Sequence, residues 1–182
     1  IGAGTLNHLY FEPESEPYDI VEPFSELYES SRYINRIRNI YNDIDEIPQT
    51  QEYDRIISIA TFEHICNLPD VILRCCLLIK PGGKLRIAIP SEGTILWSLG
   101  WMCTTGIEFK LKYGLNYSVL MKYEHVNTAR EIEEVLSYFF RRIQCSFFGL
   151  NRNISLYQFF ECSEPQIDKC FSINTVNPIT SI

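Results

Sequence analysis

The 182 residues, 46% of them apolar, suffice for one domain with a sizeable core, and a formal net charge of −7 argues against a nucleic-acid partner, because phosphate neutralisation needs clustered cations. Seven cysteines, an odd number with Cys75 and Cys76 adjacent and no CxxC pair, argue against a disulfide framework and read as reduced, mostly core thiols of a cytoplasmic protein. The uncharged stretch "TILWSLGWMCTTGI" (Thr94 to Ile107) is too short to be a transmembrane segment, which needs roughly 20 apolar residues, and reads as a buried or lid helix or as a surface for peripheral membrane contact.

The chain opens on "IGAGTLNHL", a glycine-rich turn with no initiating Met before it, so its start is expected to be a cut one. "YDIVEPF" follows as a short strand ended by an acid and a proline, and "FSELYESSRYINRI" spaces Phe24, Leu27, Tyr28 and Tyr33 as a helix does. Arg32, Arg36 and Arg38 read as a solvated face of that helix. "RIRNIYNDI" is a brief strand with Asp43 at its exit. In "YDRIISIATFEHI", Ile56, Ile57 and Ile59 make a near-continuous apolar run, which predicts a central strand covered on both faces.

Asn67 and Pro69 signal a helix start, "DVILRCCLLI" fills that helix, and "KPGGK" stops it before the strand "KLRIAIP". "HVNTAREIEEVLSYFF" is amphipathic, with Asn127 or Thr128 as N-cap and Glu131 close behind. "RIQCSFFGLN" and "ISLYQFFEC" then predict a closing hairpin. The order implies an α/β fold, a doubly wound, mostly parallel sheet with a C-terminal antiparallel hairpin, in one domain over 1–162, followed by a flexible tail over 163–182.

A glycine turn lets the backbone approach a ligand, so Gly2 and Gly4 are candidate nucleotide-site residues, although G-x-G alone is common in turns. Glu22, eighteen positions after Gly4 at the end of the next strand, has the spacing of an acid that accepts both hydroxyls of a ribose; its plainer reading is an exposed helix cap.

Together "IGAG", "DIVEP", "NDI", "YDRIISIATFEHI" and "LLIKPGGKLRIAIP" resemble, in order, the motifs of the class I, Rossmann-like methyltransferases that use S-adenosylmethionine, in a small-molecule sub-type. The resemblance implies that Gly2 and Gly4 approach the methionine part of the cofactor, Glu22 holds its ribose, Asp43 and Ile44 flank its adenine, and Thr61 and Phe62 face its reactive side. It departs from the family at Leu6, where many members carry a third glycine. It also implies that the family's central first strand is missing here except for Ile1, leaving ladder groups on both neighbouring strands unpaired. No metal is implied.

Methyl transfer to a hydroxyl asks for a base, and the candidates are His64, after Glu63, and His125, after Glu124. Core or capping roles are the plainer readings of both, and His8 reads as structural. The segment 94–123 holds Trp97, Trp101, Phe109, Tyr113, Tyr117 and Tyr123, which read as core or as an aromatic lid for a sugar or lipid-linked sugar of polysaccharide biosynthesis. Two rival readings are a non-catalytic cofactor-binding module and a nicotinamide-dependent oxidoreductase; the latter's third glycine would fall at Asn7.

Overall fold

The computed structural model describes residues 1–14, 18–91, 95–115 and 117–170; Thr94, at the start of the expected lid, and tail residues 171–182 lie outside the described residues, as does the side chain of Trp101. Strand β1 (Tyr18–Val21) pairs in parallel with β2 (Ile37–Tyr41), and β3 (Tyr53–Ile59) pairs in parallel with β4 (Ile79–Pro90). The hairpin of β5 (Phe140–Asn151) and β6 (Ile154–Pro165) joins β4 antiparallel, giving the order β3-β4-β6-β5. This is the α/β class that the element order predicts.

Each parallel pair needs a crossover, and their lengths differ. Helix α2 (Leu68–Leu78) starts with Pro69 in its first turn and buries Leu68, Ile72, Cys75 and Cys76. Its chain turns extended at Ile79, ahead of Pro81 and of Gly82 at φ +82°. On β4 the alternate residues Leu85, Ile87 and Ile89 face the same core. Helix α6 (Ala129–Phe139) closes that layer with Ile132, Leu136 and Phe139, and its start is a capping box of Thr128 and Glu131. Burial of each such aliphatic side chain contributes about 1.5–3 kcal/mol.

Between β1 and β2 the expected long helix shrinks to α1 (Ser25–Tyr28) and a 3-10 turn, Ile34–Arg36. The Ser31 hydroxyl explains this: it donates to the Thr5 carbonyl at 2.9 Å and accepts the Tyr33 N–H, giving the backbone an alternative to helical bonds. The arginines do not share a helix face, although Arg32 and Arg38 are exposed as expected. Arg36 donates to the Leu9 and Pro13 carbonyls, Arg38 forms a two-pronged pair with Asp19, and Arg32 lies over the Tyr33 ring at 4.7 Å.

Strand β3 is not covered on both faces. Ile56 and Ser58 are buried, whereas Ile59 is 46% exposed on a face that shares its side with Arg86 and Phe159. Its other edge looks toward β1 across an apolar cavity of about 480 Å³ lined by Ile20, Val21, Ile56 and Ile57. Ile1 and Gly2 lie between the two strands: the Ile1 nitrogen donates to the Ile57 carbonyl at 2.7 Å and the Gly2 N–H to the Val21 carbonyl at 2.9 Å.

Segment 95–124 forms α3 (Ile95–Cys103), α4 (Thr105–Tyr113) and α5 (Tyr117–Glu124), and Trp97 meets Tyr157 of β6 edge-on with ring centroids 6.4 Å apart. No helix among the described residues is long and apolar enough to cross a membrane. Order also continues past Cys162: β6 runs to Pro165, the Gln166 N–H donates to the Phe139 carbonyl, and Cys170 is fully buried. All seven cysteines are free thiols, with Cys66, Cys103 and Cys145 exposed.

Candidate functional site

The opening turn is built on left-handed backbone at Gly2 (φ +61°), Gly4 (φ +51°) and Leu6 (φ +63°). A Cβ at Gly2 would lie 2.2 Å from the Thr61 hydroxyl oxygen, so glycine is what allows the turn to touch the loop after β3. A Cβ at Gly4 would meet nothing within 4 Å; that side of the turn is open. Leu6 occupies the position where many members of the resembled family carry a third glycine, and its side chain is wholly buried with Leu9, Ile20 and Tyr28, offsetting the backbone cost.

Glu22 ties the turn to the strands. Its Oε2 accepts the Gly4 N–H at 2.8 Å, its Oε1 accepts the Phe24 N–H at 3.2 Å, and its own N–H donates to the Tyr41 carbonyl. At 4% exposure it is no surface helix cap. Each carboxylate oxygen retains a lone pair, so two further hydroxyl donors can be received. Asp43, exposed two residues beyond Tyr41, accepts the Asp45 N–H at 3.0 Å and caps the 3-10 turn Ile44–Glu46, whose Ile44 is buried. Gly2 thus adjoins Thr61 and Gly4 is bonded to Glu22, with Asp43 at the carboxyl end of the neighbouring strand.

Ala60, at φ +50°, swings the chain out of β3 into the 3-10 turn Phe62–His64. The Phe62 side chain is wholly buried in the core, so what this residue presents nearby is its carbonyl, which accepts from Asn127 Nδ2. Asn127 also donates to the Ile65 carbonyl, and the Glu63 carbonyl accepts the Val126 and Asn127 N–H groups. The segment before α6 is therefore stapled to the end of β3, and Thr128 rather than Asn127 is the N-cap.

That staple brings the two candidate bases together across 61 positions: the His64 and His125 rings stand edge-to-face with centroids 4.5 Å apart. His64 Nδ1 lies 2.8 Å from the Glu124 carbonyl. Because a carbonyl only accepts, the proton sits on Nδ1 and the neutral ring keeps Nε2 as its basic nitrogen. Burial, and then the neighbouring His64, lower the His125 pKa, which keeps that ring neutral near neutral pH. His8 lies apart, half-buried against Tyr18 with ring centroids 6.2 Å apart, and burial lowers its pKa too.

Glu63 and Tyr157 are not among the residues that the sequence pattern singles out. Glu63 is 2% exposed and its Oε2 has no hydrogen-bond partner among the described residues. Burial raises its pKa against the pull of its own backbone N–H and of His64. Burial and then the Glu63 charge raise the Tyr157 pKa. Adjacency to His64 was the signal that could have singled out Glu63.

No protein-family model matches the chain, and a search of curated proteins finds no match either. Solved structures do match. A Thermotoga maritima protein described as a methyltransferase dependent on S-adenosylmethionine, a possible histamine N-methyltransferase, aligns with TM-score 0.62 and 14% identity over 90% of this chain and 79% of that one. The plantazolicin methyltransferase BpumL, solved with a desmethyl-plantazolicin analogue and S-adenosylhomocysteine, aligns with TM-score 0.64 and 12% identity over 90% and 74%. Haemonchus contortus phosphoethanolamine N-methyltransferase 2, with phosphomonomethylethanolamine and S-adenosylhomocysteine, gives TM-score 0.59 and 15% identity over 91% and 48%. The chain therefore has the α/β, Rossmann-like fold of the class I methyltransferases that use S-adenosylmethionine.

Proposed function

We propose that the protein transfers a methyl group from S-adenosylmethionine to a small-molecule acceptor. The observation that carries this reading is the Glu22 carboxylate, buried against the Gly4 N–H at 2.8 Å beside a turn whose Gly4 side is open. The fit is chemical: a nucleoside presents two vicinal hydroxyls, and Glu22 retains two lone pairs for them. Gly2 and Gly4 would line the methionine part, Glu22 would hold the ribose, and Asp43 with Ile44 would flank the adenine.

Bound there, the sulfonium would supply an activated methyl group with its own leaving group. The chain is left to orient the acceptor and to remove its proton. Thr61, locked against Gly2, and the Phe62 carbonyl lie where the acceptor side of such a site would begin. His64 Nε2 is the oriented base, and His125, neutral by burial, is its partner. The aromatic residues of α3–α5 support a small acceptor, and a sugar hydroxyl rests on those aromatics alone. The similar structures hold a monoazolic desmethyl-plantazolicin analogue and phosphomonomethylethanolamine beside S-adenosylhomocysteine, which supports small acceptors more broadly than sugars.

Calorimetric titration of S-adenosylhomocysteine into the protein and into Glu22→Ala tests the cofactor site. Binding that the variant loses supports the reading. Absence of binding by a folded wild-type protein, with a nicotinamide dinucleotide bound instead, overturns it in favour of an oxidoreductase. Methyl transfer to any acceptor separates an enzyme from a cofactor-binding module.

A further inference from the structure

Several carboxylates are partnered: Glu12 by Arg55, Asp19 by Arg38, Asp54 by Lys80, Glu161 by Lys84 and Arg86, and the buried Glu22 by two backbone N–H groups. Glu63 is buried without such partners. It is the most enclosed acid in the described chain at 2% exposure, no lysine or arginine pairs with it among the described residues, and its Oε2 receives no donor. A buried oxygen without a donor is disfavoured unless something supplies one.

The surroundings say what kind of donor fits. The turn Phe62–His64 packs on β4, whose last residue, Pro90, pairs with Tyr157, and the Tyr157 ring meets Trp97 of α3, so the acid's turn neighbours the aromatic segment assigned above to the acceptor. His64, the next residue, belongs to the base pair, and His125 stands against it. Anionic oxygen near aromatic rings, with no lysine or arginine pairing it among the described residues, is complementary to an ammonium group: the oxygen takes its N–H and the rings take its charge. A neutral sugar would leave the acid's charge unmatched.

We propose that the acceptor is a cationic amine held by Glu63, with Tyr157 and Trp97 as its aromatic wall. This rests on the methyltransferase reading and narrows it. A bound ammonium is no nucleophile; its proton must pass to an imidazole, the task given above to His64 and His125, before the nitrogen lone pair is available.

The test is a ligand-detected NMR titration of the full chain with two isosteric probes, 2-phenylethylamine and 2-phenylethanol, near neutral pH, with S-adenosylhomocysteine binding measured alongside by calorimetry. The amine should bind about tenfold tighter than the alcohol. Glu63→Gln, which keeps the shape, should remove that preference and leave S-adenosylhomocysteine affinity unchanged; Glu63→Asp should restore part of it. Equal binding of the probes by the wild type, no binding of either, or a preference that survives Glu63→Gln overturns the proposal. If S-adenosylhomocysteine fails to bind while the amine preference stands, the methyltransferase reading fails and the amine site does not. The wild-type comparison stands by itself if a Glu63 variant fails to fold.

Discussion

Glu22→Ala separates the two tasks given to Glu22. In the structure its carboxylate accepts the Gly4 and Phe24 N–H groups at 2.8 and 3.2 Å while 4% exposed. Hydrogen bonds to a charged group contribute about 1.5–3 kcal/mol each, but the open side of Gly4 lets water re-solvate that N–H once the acid is gone. The longer bond to Phe24 is the weaker of the two, so the pair together should be worth about 2–4 kcal/mol. A chain of this size loses roughly 2–4 °C of melting temperature per kcal/mol, which predicts a fall of about 4–16 °C. Glu22→Gln keeps one acceptor oxygen and should lose about half of that, while cofactor affinity falls by about 10- to 100-fold because an amide nitrogen cannot accept a hydroxyl. Thermal melts by circular dichroism, run beside calorimetry with S-adenosylhomocysteine, give both numbers. An Ala variant that melts within about 1 °C of wild type would refute the claim that this carboxylate holds the turn.

Three further substitutions probe other links. Gly2→Ala places a Cβ 2.2 Å from Thr61 Oγ1 at φ +61° and should cost about 2–4 kcal/mol; adding Thr61→Gly, which also removes the Thr61 Cβ at 2.8 Å, should recover the steric part but not the backbone part, as a double-mutant cycle would read. Thr128→Ala breaks the capping box of α6 and should cost about 0.5–2 kcal/mol in urea melts, with unchanged cofactor binding. Glu63→Gln should stabilise the ligand-free protein above neutral pH. Burial raises the folded Glu63 pKa above its usual 4.5, so its favourable contribution is present below 4.5 and is lost as pH rises through the folded value. The gain, about 1–3 kcal/mol, should therefore vanish in acid, and equal gains at both pH extremes would refute the burial argument.

The elements that could be read from sequence are those whose causes are local. Ile132, Leu136 and Phe139 repeat at helical spacing behind Thr128 and Glu131, and every one of those signals lies within α6. The four-residue α1 was over-read because its terminator is not local: Ser31 is drawn off by the Thr5 carbonyl, 26 positions away. Ile56, Ile57 and Ile59 read as a two-faced strand because an apolar run carries no information about which face the rest of the chain covers. The base pair was legible as two separate histidines, but the Asn127 bonds that bring them together were hidden behind that residue's more familiar role as a cap.

Glu63 marks the limit of such reading, because its oddity is an absence. Nothing in "FEHI" says that the acid will be enclosed; that depends on Val126 and Asn127 bonding its carbonyl, contacts that span 63 and 64 positions. Once the enclosure is known, physical chemistry narrows the options. An uncompensated carboxylate works against the fold, and Gln at the same position would relieve it without changing shape. Mutation tends to find such relief easily, so a stability-lowering acid beside two paired imidazoles is the arrangement expected where function, not folding, sets the residue. Stability of the empty site and recognition of a cation then pull in opposite directions at one side chain, and a single substitution should move them oppositely.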